Sequence, residues 1–187
     1  MKRITGCSLV ALFGSLLTAN ANAVLIIGPA ITPSCGTPTC LLLTGTQTSQ
    51  AEINAAIASL LGSSVELYKQ NVGGSETGAA AGYYTTTFFN TPTDPEDAMI
   101  VWDGGGVITD ATHLLVKDGN SNPAWYLFSI DWDGMETISL DDFWIGRGAI
   151  SHVTIYGGTV TVPEPTTLSL LGAVLVGLGL TRRRKAS

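Results

Sequence analysis

The chain has 187 residues, with nine Lys and Arg against fifteen Asp and Glu and a formal charge of −6. An acidic chain with only two histidines and three cysteines offers no basic groove for nucleic acid and no Cys/His set for a structural zinc. No phosphate-loop or dinucleotide pattern is present either, which sets nucleotides aside as ligands.

Met1-Lys2-Arg3 is a short basic start, residues 9–17 form an apolar run of signal-peptide size, and Ala21-Asn22-Ala23 supplies a small-x-small cleavage pattern. Residues 1–23 are therefore expected to be a signal peptide for the Sec translocon, removed before Val24. Cys7 lies inside it, and the Ser8-Leu9 that follows is a poor context for lipid attachment. Setting aside this segment and the tail from residue 163 leaves 24–162 as one secreted domain. That domain holds three cations (Lys69, Lys117, Arg147) against fourteen carboxylates, a net charge of −11. Such a surface repels nucleic acid and anionic lipid, and suits either solubility outside the cell or collection of divalent cations.

Cys35 and Cys40 enclose Gly36-Thr37-Pro38-Thr39. In an exported chain a local Cys35–Cys40 disulfide is the favoured reading, with two free thiols as the alternative. A loop this short removes little chain entropy, so the bond would pin one end of the domain without holding the fold together.

Residues 50–62 place Ile53, Ile57, Leu60 and Leu61 on one helical stripe, with Ser49 as N-cap and Gly62 as stop. This predicts one short helix that serves packing. From residue 64 the pattern changes to runs rich in β-branched and aromatic residues: 65–70, 83–89, 98–102, 113–117, 125–130, 137–140 and 150–156. Turn sequences such as Asp103-Gly104-Gly105-Gly106, Asp118-Gly119-Asn120 and Asp133-Gly134 separate them. The expected fold is mainly β, an antiparallel sandwich of jelly-roll type with one short helix. Residues 124–128, apolar on both faces, suit a central strand, and 113–130 reads as a hairpin across 120–123.

Asp131, Asp133, Glu136, Asp141 and Asp142 put five carboxylates within twelve residues. Alternating aspartates before a glycine turn can direct oxygens at a hard cation, which makes calcium the one candidate cofactor, although the spacing departs from an EF-hand; a solvated acidic loop is the plainer reading. The same carboxylates supply the alternative of a matrix-processing glycoside hydrolase using the 131–142 segment, since a pair about 5 to 9 Å apart suffices for that chemistry. His113 and His152 are too far apart for a triad and no serine has a nucleophile-elbow setting. In the 150–156 strand His152 is expected to share the outer face with Thr154 and Tyr156, as a surface or capping residue. Trp132 and Trp144 lie in Gly- and Asp-rich connections, where exposed indoles beside carboxylates would form a glycan-binding platform; the competing reading packs each over an end of the sandwich.

The tail joins three features in fixed order. Pro163-Glu164-Pro165 presents an extended, accessible Glu, because each proline fixes φ and lacks an N–H. The uncharged run 166–180 reaches roughly 22 Å as a helix, short of the ~30 Å hydrocarbon core and therefore reliant on thinning or on snorkelling of its flanks. The basic cluster Arg182, Arg183, Arg184 and Lys185 holds the C-terminus on the cytoplasmic side. This tail, residues 163–187, resembles the PEP-CTERM sorting tail of exopolysaccharide-making Gram-negative bacteria. The resemblance implies an exosortase as partner, a membrane cysteine transpeptidase that cuts near the triplet and removes the helix. Stretches of 114–157, above all Gly148-Ala149-Ile150-Ser151-His152 with the later Tyr156-Gly157, are similar to the body of many proteins with that tail. The expectation is an exported protein that passes through an inner-membrane intermediate to the cell surface or extracellular matrix. There it would be a non-catalytic binding or structural partner of exopolysaccharide in biofilm.

Overall fold

The computed structural model describes residues 24–29, 39–62, 65–90, 95–110, 113–145, 147–162, 171 and 174–175. The strands are β1 (Val24–Ile27), β2 (Thr39–Gly45), β3 (Glu66–Asn71), β4 (Glu76–Thr77), β5 (Tyr84–Phe88), β6 (Ala98–Trp102), β7 (Val107–Thr109), β8 (His113–Asp118), β9 (Trp125–Ile130), β10 (Thr137–Leu140), β11 (Ile150–Tyr156) and β12 (Thr159–Thr161). The helix α1 covers Gln50–Leu61. Its ends are set by local chemistry: Ser49 Oγ accepts from the Glu52 N–H at 3.3 Å and donates to Glu52 Oε2 at 2.8 Å. Gly62 takes φ 74° and donates its N–H to Ala58 O at 2.8 Å.

Six strands make one sheet in the order β2-β9-β8-β11-β3-β4, every neighbour antiparallel. A second sheet runs β1-β10-β6-β5, and β12 pairs with β7 as a small ribbon. The expected hairpin across 120–123 is present as β8 and β9, with His113 opposite Ser129 and Lys117 opposite Trp125. One edge corrects the expectation of a wholly antiparallel fold: β1 pairs with β10 in parallel, Val24 opposite Thr137 through Ile27 opposite Leu140. No tight turn joins these strands, so the hairpin constraint that makes neighbours antiparallel does not act on them. β1, β2, β4, β7 and β12 carry too little alternation to be read as strands in advance; β2 also contains a register shift between Leu41 and Leu43.

Both faces of the six-stranded sheet are covered. Leu114 and Val116 of β8, Phe128 and Ile130 of β9, and Val153 and Ile155 of β11 share a core with Leu25, Ile27, Ile100, Ile138 and Leu140 of the four-stranded sheet. The alternate residues Leu115, Trp125 and Leu127, with Tyr156, meet Ile53 and Ile57 of α1 on the other side. Each of those isoleucines is fully buried, which stabilises the helix by about 1.5–3 kcal/mol per side chain. The layers are therefore sheet, sheet and helix, and the helix decides the fate of the polar residues beneath it.

Candidate functional site

The tryptophan platform is corrected by the structure. Trp132 is 7% exposed and Trp144 8% exposed. The Trp132 Nε1–H donates to Glu136 O at 2.6 Å and its ring lies 5.6 Å from that of Tyr84. Trp144 donates from Nε1 to Pro123 O at 2.8 Å and packs on Tyr126 and Phe143, with centroids 5.2 and 5.6 Å away. Their loops fold back over the ends of the sheets, so the indoles close the core and offer no face to a sugar ring. Trp125 and Trp102 likewise give their Nε1–H groups to Gln47 Oε1 and Gly106 O.

The five carboxylates of 131–142 do not converge. Asp133 Oδ1 accepts the N–H groups of Met135 and Glu136 at 2.8 and 2.7 Å, which makes it a turn former. Gly134 beside it takes φ 82°, and a Cβ there would stand 2.1 Å from Ile108 O; its carbonyl accepts from Tyr84 OH at 2.8 Å. Asp141 and Asp142 instead join Asp97, the three offering oxygens within 4.8 Å of one another. Asp97 is already engaged, Oδ1 accepting from the Asp142 N–H at 2.8 Å and Oδ2 from Asn90 Nδ2 at 2.7 Å. A hard cation there would rely on the two exposed carboxylates of Asp141 and Asp142. Asp97 sits more than forty residues earlier in the chain, and only the packing of its segment beside Phe143, whose N–H donates to Glu96 O at 3.0 Å, brings it in.

His152 is also corrected. It lies on the outer face with Thr154, as its position predicts, yet it is 6% exposed because that face is not at the surface. Burial, and then the positive charges of Lys69 and Lys117, lower its pKa to about 3, so the imidazole is neutral across the physiological range. Lys117 is 7% exposed and its ammonium donates to Asp118 O at 2.7 Å; burial lowers its pKa, partly offset by the Asp118 carboxylate. Lys69 donates to Gln50 Oε1 at 2.7 Å, the first link of a chain in which Gln50 and Asn54 on α1 engage Tyr156 OH and Glu66. His113, whose pKa burial also lowers, stands opposite Tyr156 on the neighbouring strand.

At the end of the β8–β9 hairpin an open cleft of about 330 Å³ is lined by Asp118, Gly119, Asn120, Ser121, Arg147, Gly148 and Ala149. Asp118 is 6% exposed; its Oδ1 accepts the Asn120 N–H at 3.3 Å, while Oδ2 has no hydrogen-bond partner. Ser121 Oγ donates to Arg147 O at 3.3 Å and ties the two sides of the cleft together. The turn signal Asp118-Gly119-Asn120 was visible in the sequence; its meeting with 147–149 was not, because that depends on Ile150 pairing opposite Asp118.

Cys40 is 3% exposed at the start of β2, and its expected partner Cys35 lies outside the described residues. The expected signal peptide, the triplet Pro163, Glu164 and Pro165, and the basic cluster Arg182, Arg183, Arg184 and Lys185 lie outside them too. Of the expected membrane run, Leu171, Val174 and Leu175 are described, all three exposed and helical. Among the described residues no helix is long and apolar enough to cross a membrane.

Residues 161–185 match the PEP-CTERM protein-sorting motif. Nothing matches the chain among curated proteins or solved structures.

Proposed function

From a chain that carries a PEP-CTERM sorting signal, and is thereby an exported protein sorted and processed at the membrane by an exosortase, we propose a non-catalytic surface protein. In this reading the Sec translocon exports it, the signal peptide leaves before Val24, and the 166–180 run holds it in the inner membrane until exosortase cuts near Pro163-Glu164-Pro165. The product then associates with extracellular polysaccharide at the cell surface or in the matrix. A Cys35–Cys40 disulfide closes in the oxidising compartment and pins the start of β2.

The observation that carries the reading is the place of the motif relative to the fold. β12 ends at Thr161, where the motif begins, and β1 starts at Val24. Both expected cuts therefore fall outside the strands among the described residues. The non-catalytic part is supported by the occupation of Asp133 and Asp97 in backbone and side-chain hydrogen bonds, which leaves them poorly placed for acid and base work.

Intact mass of the exported protein tests the processing: loss of 1–23 and an end near the triplet are expected, and Glu164→Ala should block the second cut. A product retaining residues 168–187 would contradict it. Incubation of the exported protein with the producing cell's own exopolysaccharide tests the rest, with retention expected and no release of reducing ends. Release of reducing ends that a single carboxylate substitution abolishes would assign a hydrolase instead.

A further inference from the structure

The sorting motif and the fold share a residue. Residues 161–185 match the motif, and Thr161 is also the last residue of β12. Val162 alone separates this strand from Pro163, while on the far side of the triplet the uncharged run opens at Thr166. From Thr161 to Pro163 an extended chain covers two residue steps, roughly 7 Å. A protein that grips the triplet in extended form needs at least one packed layer beside it, about 10 Å thick. With β12 docked, the domain leaves no room for that layer.

We infer that β12 is a releasable strap, which peels from β7 about Gly157-Gly158 to hand the triplet to the exosortase and docks again after the cut. The inference rests on the exosortase processing stated above and supplies its conformational step. Among the described residues β12 pairs with β7 alone, over Thr159 to Thr161, in a ribbon separate from both large sheets. Thr159 and Thr161 are exposed, and Val160 is the one side chain that the strand packs against the core. Its side-chain hydrogen bonds are few and long: Thr159 Oγ1 to Thr109 Oγ1 at 3.1 Å and Thr161 Oγ1 to Val107 O at 3.3 Å. The elements on either side of it hold firm. β11, which precedes it in the chain, is buried from His152 to Tyr156, and Ile108 of β7 is fully buried with its N–H donated to Tyr84 OH at 2.8 Å. Loss of β12 therefore leaves both in place.

Gly157 and Gly158 supply the hinge. Both take positive φ, 82° and 75°, a region that glycine enters and leaves at no steric cost, so the pair can absorb a change of chain direction. Gly157 stays with the body through its N–H bond to Val65 O at 3.2 Å, whereas Gly158 is exposed. Release beyond Gly157 lengthens the free chain before Pro163 to six residue steps, roughly 20 Å. That reach accommodates a layer of enzyme which the docked strand excludes.

The test follows conversion of the full-length precursor to processed protein in the producing cell, by pulse labelling and intact mass. Thr109→Cys with Thr159→Cys joins two directly opposed residues, whose Cα atoms in an antiparallel pair lie about 5.5 Å apart, within disulfide range. Once exported and oxidised, this pinned protein should convert about tenfold more slowly or worse, because the released state alone is competent. Dithiothreitol should restore the rate, and each single variant should convert like wild type with or without it. Five Gly/Ser residues inserted between Val162 and Pro163 of the pinned protein should also restore conversion, since they supply roughly 17 Å of reach beyond the pin. Val107→Cys with Thr161→Cys, opposed in the same register, serves as the pin where the first pair fails to fold or to close. A pinned protein cut at the wild-type rate, or a slowed one that the insertion does not rescue, would overturn the strap and leave exosortase processing standing. A wild type that keeps residues 168–187 would remove that processing and this inference together.

Discussion

The face of the six-stranded sheet that meets the four-stranded sheet is lined by Leu114, Val116, Phe128, Ile130, Val153 and Ile155, and the fully buried tyrosine hydroxyls of this core are satisfied. Tyr68 OH shares a hydrogen bond with Thr86 Oγ1 at 2.8 Å, and Tyr84 OH accepts from the Ile108 N–H while donating to Gly134 O. The opposite face is half apolar and half polar. A twelve-residue helix covers Leu115, Leu127 and Tyr156, and toward its margin lie Lys69, Lys117, His152 and Thr154. Among the described residues, two of the three unpartnered buried atoms, His152 Nε2 and Thr154 Oγ1, belong to β11 on this second face, while the third, Asp118 Oδ2, ends β8 in the alternation of Leu114 and Val116, opposite Ile150 of the first core. Up to the end of β8 the first face is thus built for stability, while the second keeps polar groups in its midst that packing does not explain.

The largest effect is expected from the apolar side. Trp132→Ala removes an indole that is 7% exposed and ends its bond to Glu136 O, so it should cost about 3–5 kcal/mol in urea denaturation. Trp144→Ala should follow for the same reason. If either variant unfolds at the wild-type urea concentration, its indole is not closing the core and the contrast between the two faces fails.

The second effect belongs to His152. Its folded pKa of about 3 lies below the ordinary value of 6.5, so the unfolded chain binds the proton first as pH falls. The stabilisation is complete above about pH 6.5 and is lost progressively between there and about pH 3, at up to roughly 1.4 kcal/mol per pH unit. The charges facing the ring are those of Lys69 and Lys117, which reinforce burial. His152→Gln should flatten the dependence of stability on pH between 6 and 4 relative to wild type. Equal slopes in the two proteins would mean that the ring reaches water.

A smaller effect, and of opposite sign, is expected at Thr154, fully buried with Oγ1 unpartnered. Thr154→Val keeps the shape and removes a hydroxyl whose neighbouring phenol, Tyr156 OH, is already bonded to Gln50 Nε2 and Asn54 Oδ1, so stability should rise by up to about 1 kcal/mol. A loss of similar size in thermal melting would show the hydroxyl to be hydrogen-bonded in solution.

These contrasts explain what could be read in the chain beforehand. The runs 125–130, 137–140 and 150–156 and the Ser49 to Gly62 helix were legible because alternation, helical spacing and caps are local signals. Local pattern also gave the face on which His152 stands. That this face is covered depends on α1, about a hundred residues earlier, and no periodicity carries that information. The same limit applies to Trp132 and Trp144: Gly- and Asp-rich flanks predict a loop, and say nothing of whether the loop turns outward or folds over the core. Asp97 joins Asp141 and Asp142, and Gly148 meets Asp118, through strand order alone. The parallel pairing of β1 with β10 has no hairpin to announce it.

The smallest effect is expected from the tail, whose absence should leave both faces untouched. The last strand, β12, pairs with β7 through Thr161 opposite Val107, and Thr161 Oγ1 donates to Val107 O at 3.3 Å. Val162 beyond it is 62% exposed, and Leu171, Val174 and Leu175 are at least half exposed; none of the four belongs to either core. A protein ending at Val162 should therefore melt within about 1 °C of the same protein with its tail, since none of the described tail residues is buried. A fall of several degrees would mean that the segment removed by the exosortase packs on the sheets before cleavage, and the processed protein would then be a less stable species than its precursor.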